Sequence, residues 1–329
     1  MPASAATRLL DHYRKHARML PWRAPPGSAR ADPYRVWLSE VMLQQTTVAT
    51  IIPRFLRFIE RWPTIEALAA APDQEVLGEW AGLGYYARAR NLIACARQVA
   101  ENGGFPDTEA GLRALPGIGD YTAAAIAGIA FGRDSVAIDT NVERVVARLE
   151  ATSDKKAIRA AATAMVPAGQ AGDFAQAMMD LGATICRPRT PDCQACPLRA
   201  DCRALAMGTP EAFPAKPPRK VRLLRFGMVW WIERDGALWL VRRPAKGLLG
   251  GMAALPGSEW GDSPPTAPAL VEVRHGFTHF ELRLSVVLGG TAEEGGWWQP
   301  IDALSKAGLP TLYRRAVEAV LEQRKHLAA

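Results

Sequence analysis

The chain has 329 residues, 49% of them hydrophobic, and 40 Lys and Arg against 33 Asp and Glu give a formal net charge of +7. That length exceeds a single hydrophobic core and predicts two domains. The apolar fraction excludes a disordered or fibrous chain, and the basic balance suits a polyanionic partner without assigning one.

The N-terminal "TRLLDHYRKHARML" is amphipathic and lacks the apolar core of a secretory signal. From Asp32 to about Gly208 the pattern is helical nearly throughout. "DPYRVWLSEVMLQQTTVATIIPRFLRFIERW" opens with Asp32 as N-cap and Pro33 at the first helical position. "TIEALAAAPDQEVLGEWAG", "YYARARNLIACARQVAENGG" and "FAQAMMDLGATIC" repeat apolar residues at three- and four-residue intervals. The stretch "ALPGIGDYTAAAIAG", residues 114–128, sets Gly117 and Gly119 ahead of an Ala-rich helix. Such a hairpin exposes amides at the helix N-terminus and suits a phosphate; an ordinary loop has the same composition. The longest uncharged apolar run, eleven residues from Thr122 to Gly132, is too short to span a bilayer, and the expectation is a cytoplasmic protein.

Cys95 stands alone in a helical pattern and reads as a small buried apolar residue. Cys186, Cys193, Cys196 and Cys202 fall within seventeen residues, a metal site for zinc or an iron-sulfur cluster. Structural zinc usually shows two Cys-x-x-Cys knuckles and one is present, so the spacing leans toward iron and sulfur. Four prolines between Pro210 and Pro218 mark a linker. Beside them Lys216, Arg219, Lys220, Arg222 and Arg225 form a basic run that reads as solvated linker. Beyond it "RFGMVWWIERDGALWLVRRP" places an Asp235-Gly236 turn between two β-rich runs, "VEVRHGFTHFELRLSVVLGG" adds strands, and "LPTLYRRAVEAVLEQRK" closes with a helix. The expected division is a mostly α domain over 1–208, a Pro-rich basic linker over 209–222 and an α+β domain over 223–329.

Two carboxylates invite chemistry. Glu40 shares its helical face with Val36, Trp37, Leu43 and Thr47. Burial there raises a carboxyl pKa toward what a general acid needs; a structural Glu with a backbone or Arg partner fits the same pattern. Asp139 precedes Thr140 and Glu143, which read as a capping box, so it lies at a helix start where the dipole favours its charged form. A plain cap accounts for it too, yet one raised and one lowered carboxyl is the pairing that cleaves glycosyl bonds.

In order, "LPWR", "WLSEVMLQQTTVATIIPRF", "GLGYYARARN", "LPGIGDYTAAAI", "IDTNVERV", "FAQAMMDLGATIC" and the four-cysteine loop resemble the MutY-type adenine DNA glycosylases, across most of residues 20–205. The resemblance implies a helix-hairpin-helix domain whose Gly117 and Gly119 hairpin grips a DNA phosphate, and a 4Fe-4S cluster on Cys186, Cys193, Cys196 and Cys202. It implies Glu40 as catalytic acid and Asp139 as stabiliser of the sugar cation. It further implies Asn141 and Tyr121 as polar groups around that sugar, Gln176 as a contact to the flipped adenine, and Gln45 and Tyr85 as wedges beside 8-oxoguanine. Bifunctional endonuclease III-type enzymes, the alternative, carry a nucleophilic Lys where this chain has Tyr121, which forms no Schiff base. The last domain resembles a Nudix fold without the Arg-Glu-x-x-x-Glu-Glu metal helix, which implies a reader of 8-oxoguanine through Phe277, Thr278 and His279, with Thr in place of the family's Ser. The implied partner is double-stranded DNA with adenine opposite 8-oxoguanine or guanine, bound by a monomer.

Overall fold

The computed structural model describes residues 4–215, 221–244, 247–292 and 294–328; Lys216, Arg219 and Lys220 of the basic run lie outside the described residues. Two compact units emerge, one of Met1–Ala70 with Ala94–Pro218, the other of Ala71–Ile93 with Arg219–Ala329. The grouping of residues 71–93 with the C-terminal segment departs from the expected division.

The helices run α1 Ala5–His16, α2 Pro33–Leu43, α3 Val48–Arg61, α4 Ile65–Ala70, α5 Asp73–Trp80 and α6 Ala87–Glu101. They continue with α7 Glu109–Arg113, α8 Asp120–Ile129, α9 Thr140–Glu150, α10 Lys155–Met165, α11 Ala171–Thr184 and α12 Arg203–Ala206. Asp32 caps α2 as expected, its carboxylate accepting from the Arg35 N–H. The long helical reading through Trp62 breaks at Gln44–Thr47, where Thr47 caps α3 instead of extending the Glu40 face. In the first unit α8, α9 and α11 bury Ala125, Val146 and Met178 in one core that Leu9 and Leu10 of α1 close. Gly172 and Gly128 let α11 and α8 touch: a Cβ on Gly172 would sit 2.6 Å from the Gly128 carbonyl oxygen.

In the second unit β1 Leu223–Trp231 runs parallel to β6 Phe280–Leu288, which pairs antiparallel with β5 Val271–Gly276. A second sheet holds β2 Glu233–Arg234, β3 Ala237–Arg242, β4 Ala253–Ala254 and β7 Gly296–Pro300. The Asp235-Gly236 turn joins β2 to β3 in register Arg234↔Ala237. Both turn residues have positive φ, as a tight two-residue turn demands. The hairpin is shorter than the sequence pattern implied, because the first apolar run leaves it at Ile232 and joins the other sheet as β1. Helix α13, Thr311–Ala328, covers β5 and β6 with Leu312, Tyr313, Ala316 and Val320. No helix among the described residues is long and apolar enough to cross a membrane.

Candidate active site and cysteine cavity

Helix α2 carries Glu40 into the first unit, where the residue is only 8% exposed. A cavity of about 830 Å3 opens over it, lined among others by Arg23, Gln45, Tyr121, Asp139, Asn141 and Gln176. Burial pushes the Glu40 carboxyl up to about 7; the Asp139 charge adds to the rise, and a hydrogen bond from Tyr121 with the Arg23 charge restrains it. Tyr121 is pushed well above its ordinary range by burial and by the Glu40 and Asp139 charges, so its hydroxyl is a fixed donor.

Asp139 itself is the N-cap of α9, so the cap lies one residue earlier than the Thr140–Glu143 box implied. Its carboxylate accepts from the Val142 N–H at 2.7 Å and from Asn141 Nδ2 at 2.7 Å. Asn141 is held in turn by Arg144, whose Nη2 donates to Asn141 Oδ1 at 2.8 Å and to the Gly182 carbonyl at 2.7 Å. Helix α11 approaches closely here: a Cβ on Gly182 would lie 2.6 Å from the Asn141 Cβ. Gln176 is buried on α11, facing the cavity.

Sequence reasoning assigned no role to Arg18, Arg23 or Asp180, which form a largely buried ion triad whose two arginines line the cavity. Arg18 donates from Nε at 2.6 Å and from its backbone at 3.0 Å, and Arg23 Nη1 at 2.8 Å, to the Asp180 carboxylate. Burial alone would raise Asp180, but the hydrogen bonds and charges of Arg23 and Arg18 hold it below the ordinary carboxylate range. The only signal was the "LPWR" motif, where Arg23 directly follows the buried Trp22.

The hairpin turns at Gly117, φ 76°, and Gly119 caps α8 without any side-chain bond to its first amides. Arg113 Nη1 stands 3.1 Å from Asp120 Oδ1 and offsets the one carboxylate in that first turn. Gln45 and Tyr85 both hold left-handed backbone, φ 58° and 48°, a conformation that costs an ordinary side chain roughly 1–3 kcal/mol and gathers at functional positions. Both are exposed. In the second unit Phe277 stacks on Phe280 at 4.7 Å and its N–H donates to the Phe280 carbonyl, which leaves Thr278 and His279 exposed at the tip of the β5–β6 turn. The Tyr85 hydroxyl stands 3.4 Å from Thr278 Oγ1.

Cys186, Cys193, Cys196 and Cys202 are all free and line one cavity of about 30 Å3 with Arg148. Among the described residues no three His, Cys, Asp or Glu side chains converge on a single metal ion. Four thiols lining one cavity are the donor set of a structural zinc ion or of an iron-sulfur cluster. Burial raises Cys193, Cys202 and Cys196, the last to about 11, and the neighbouring thiols raise each further. Such a set ionises together only against positive charge at its centre. Arg148 Nη1 lies 3.3 Å from Cys186 Sγ and donates to the Arg187 carbonyl, while Arg144 Nε donates to the Cys186 carbonyl at 2.8 Å. Cys95 is fully buried and raised by burial to about 12, an inert core thiol.

Residues 38–168 match the HhH-GPD superfamily of base excision DNA repair proteins and residues 227–319 match the NUDIX domain. The chain is 36% identical to the human adenine DNA glycosylase over 87% of its own length and 66% of that protein's. Against the Rattus norvegicus adenine DNA glycosylase it is 32% identical over 96% of this chain and 78% of the relative. The chain belongs to the adenine DNA glycosylase family. In fold it is similar to a thermostable thymine-DNA glycosylase, at TM-score 0.55 and 29% identity over 61% of this chain and 95% of that one. A trapped endonuclease III–DNA covalent intermediate superposes at TM-score 0.53 and 24% identity, covering 62% and 95%.

Proposed function

We propose that this chain removes adenine mispaired with 8-oxoguanine or guanine from double-stranded DNA and leaves an abasic site without cutting the strand. The observation that carries this is Glu40, a carboxyl held near 7 in the cavity that also contains Asp139. A stacked adenine is out of reach, so the nucleotide is rotated into the cavity. Glu40, about half of which stays protonated at neutral pH, donates in that form to the purine's five-membered ring and makes the base a leaving group. Asp139, oriented by Asn141 and the Val142 amide, faces the cationic sugar that remains. Glu40 then takes a proton from the incoming water. Tyr121 holds Glu40 and supplies no amine, so no Schiff base forms and the backbone stays intact.

Gly117, Gly119 and the open amides of α8 hold a DNA phosphate; endonuclease III has been captured with DNA in a structure 28% identical to this chain, TM-score 0.50. Gln45 and Tyr85 wedge beside the oxidised base, and Phe277, Thr278 and His279 read it, the Thr278 hydroxyl retaining the bond a Ser would make. Cys186, Cys193, Cys196 and Cys202 hold a 4Fe-4S cluster, whose role is to shape the loop that carries Arg187, Arg189 and Arg199 toward phosphates.

The test is protein in excess over two labelled duplexes, one with adenine opposite 8-oxoguanine and one with an oxidised pyrimidine, each read with and without hot alkali. Breaks at adenine only after alkali are expected. Breaks at the pyrimidine without alkali would withdraw the assignment in favour of a lyase.

A further inference from the structure

The Tyr85 turn is stiff within itself. Trp80 Nε1 donates to the Gly84 carbonyl at 3.1 Å, and the Gly82 N–H donates to the Tyr86 hydroxyl at 3.2 Å. The Arg88 guanidinium lies 5.2 Å from the Trp80 ring and 5.5 Å from the Tyr85 ring, and its Nη2 donates to the Leu83 carbonyl. A turn built this way keeps its shape, but its place beside Thr278 depends on what fastens it to the rest of the second unit. The Tyr85–Thr278 contact is exposed, neutral and long, a weak anchor. Arg90 is different: its Nη1 donates at 2.5 Å to the carbonyl of Gly250, a buried residue of the NUDIX domain. A charged donor makes such a bond roughly twice as strong as a neutral one.

We propose that Arg90 is a positioning residue that sets the preference for the oxidised base opposite adenine, by fastening the Tyr85 turn to the Gly250 loop so that Tyr85 and Thr278 meet the same base. The inference rests on Tyr85 and Thr278 being contacts to that base, as proposed above. Arg90 touches no reacting atom, so its loss leaves the excision step itself untouched and changes only how well the two contacts are aligned.

The experiment measures single-turnover excision and duplex affinity for adenine opposite 8-oxoguanine and opposite guanine, in the full chain and its variants. Arg90→Met, which keeps the apolar stem and removes the donor, is expected to lose about tenfold of the preference, one charge-assisted bond's worth, with the saturating rate opposite guanine unchanged. Arg90→Lys, still a charged donor, is expected to recover most of it. A preference within about twofold of wild type in Arg90→Met, where an alignment bond should be worth more, would overturn the proposal. Should Arg90→Met fail to fold, Arg90→Lys and Arg90→Gln carry the test: preference falling in the order Arg, Lys, Gln supports it and equal preference overturns it. Tyr85→Ala and Thr278→Ala separate the two layers. If both retain the preference, the reading of those contacts falls; if both lose it while Arg90→Met does not, only the role of Arg90 falls.

Discussion

In the proposed reaction Glu40 ties catalysis and stability to one proton. Its ordinary value is 4.5 and its folded value about 7, so the protonated form is the one the fold favours. Below pH 4.5 the group is neutral folded or unfolded and costs nothing. Between pH 4.5 and about 7 the unfolded carboxyl ionises while the buried one stays protonated, and roughly 3 kcal/mol of stability is lost progressively over that window, the loss being complete above it. Glu40→Gln should therefore match wild type in denaturant midpoint near pH 4 and exceed it at pH 8, while adenine excision is abolished. Equal midpoints at pH 8 would mean that Glu40 is not buried as described. For the same reason, single-turnover excision by wild type should decline as pH rises above about 7. Asp180 has the opposite character: removing it strands Arg23 at a buried site. Asp180→Ala should cost about 3–5 kcal/mol, read by urea melts. The surroundings of Glu40 and Asp139 were legible from sequence because each sits at a helical position that states its environment: Glu40 among apolar neighbours, Asp139 at a helix start. The Arg18–Arg23–Asp180 triad was not, since Asp180 lies 162 and 157 residues from the two arginines and nothing local marks a long-range ion pair.

Between elements, two glycines on α11 do different work. Gly172 sets the approach to α8, and Gly182 sets the approach to Asn141 on α9. Alanine at either should cost roughly 1–3 kcal/mol of overpacking. Only Gly182→Ala pushes on the residue that orients Asp139. At a temperature where both variants are folded, Gly182→Ala is expected to slow the chemical step and Gly172→Ala to leave it alone; equal rates would sink the distinction. The hairpin between α7 and α8 was legible down to its glycines, because Pro-Gly-x-Gly is local chemistry. The parallel pairing of β1 with β6 was not. An apolar run ahead of an Asp-Gly turn reads as a hairpin strand, and only the competing sheet, strung across an intervening fifty residues, shows where β1 spends its hydrogen bonds.

At the scale of the molecule, the order of a helical part followed by a mixed α+β part was readable from the change of apolar period near residue 220. The attachment of residues 71–93 to the C-terminal unit was not readable, since α5 and the start of α6 are amphipathic like their neighbours. The cysteine loop predicts a separable effect: Cys196→Ala, with α-helical circular dichroism retained, should weaken DNA affinity and make its loss with salt shallower, because fewer phosphate contacts remain. Unchanged affinity would remove the loop from the DNA-binding surface. Helix α9 begins at Asp139 in one cavity, and its Arg144 and Arg148 grip the cysteine loop at another. Each added or deleted residue turns everything downstream by about 100°, so one inserted alanine between Asn141 and Arg144 would swing both arginines off the loop while the cap stayed in place. Exposed positions along α9 are therefore free to drift in identity, but their number is not, and alignments of functional relatives should show substitutions there without a single gap.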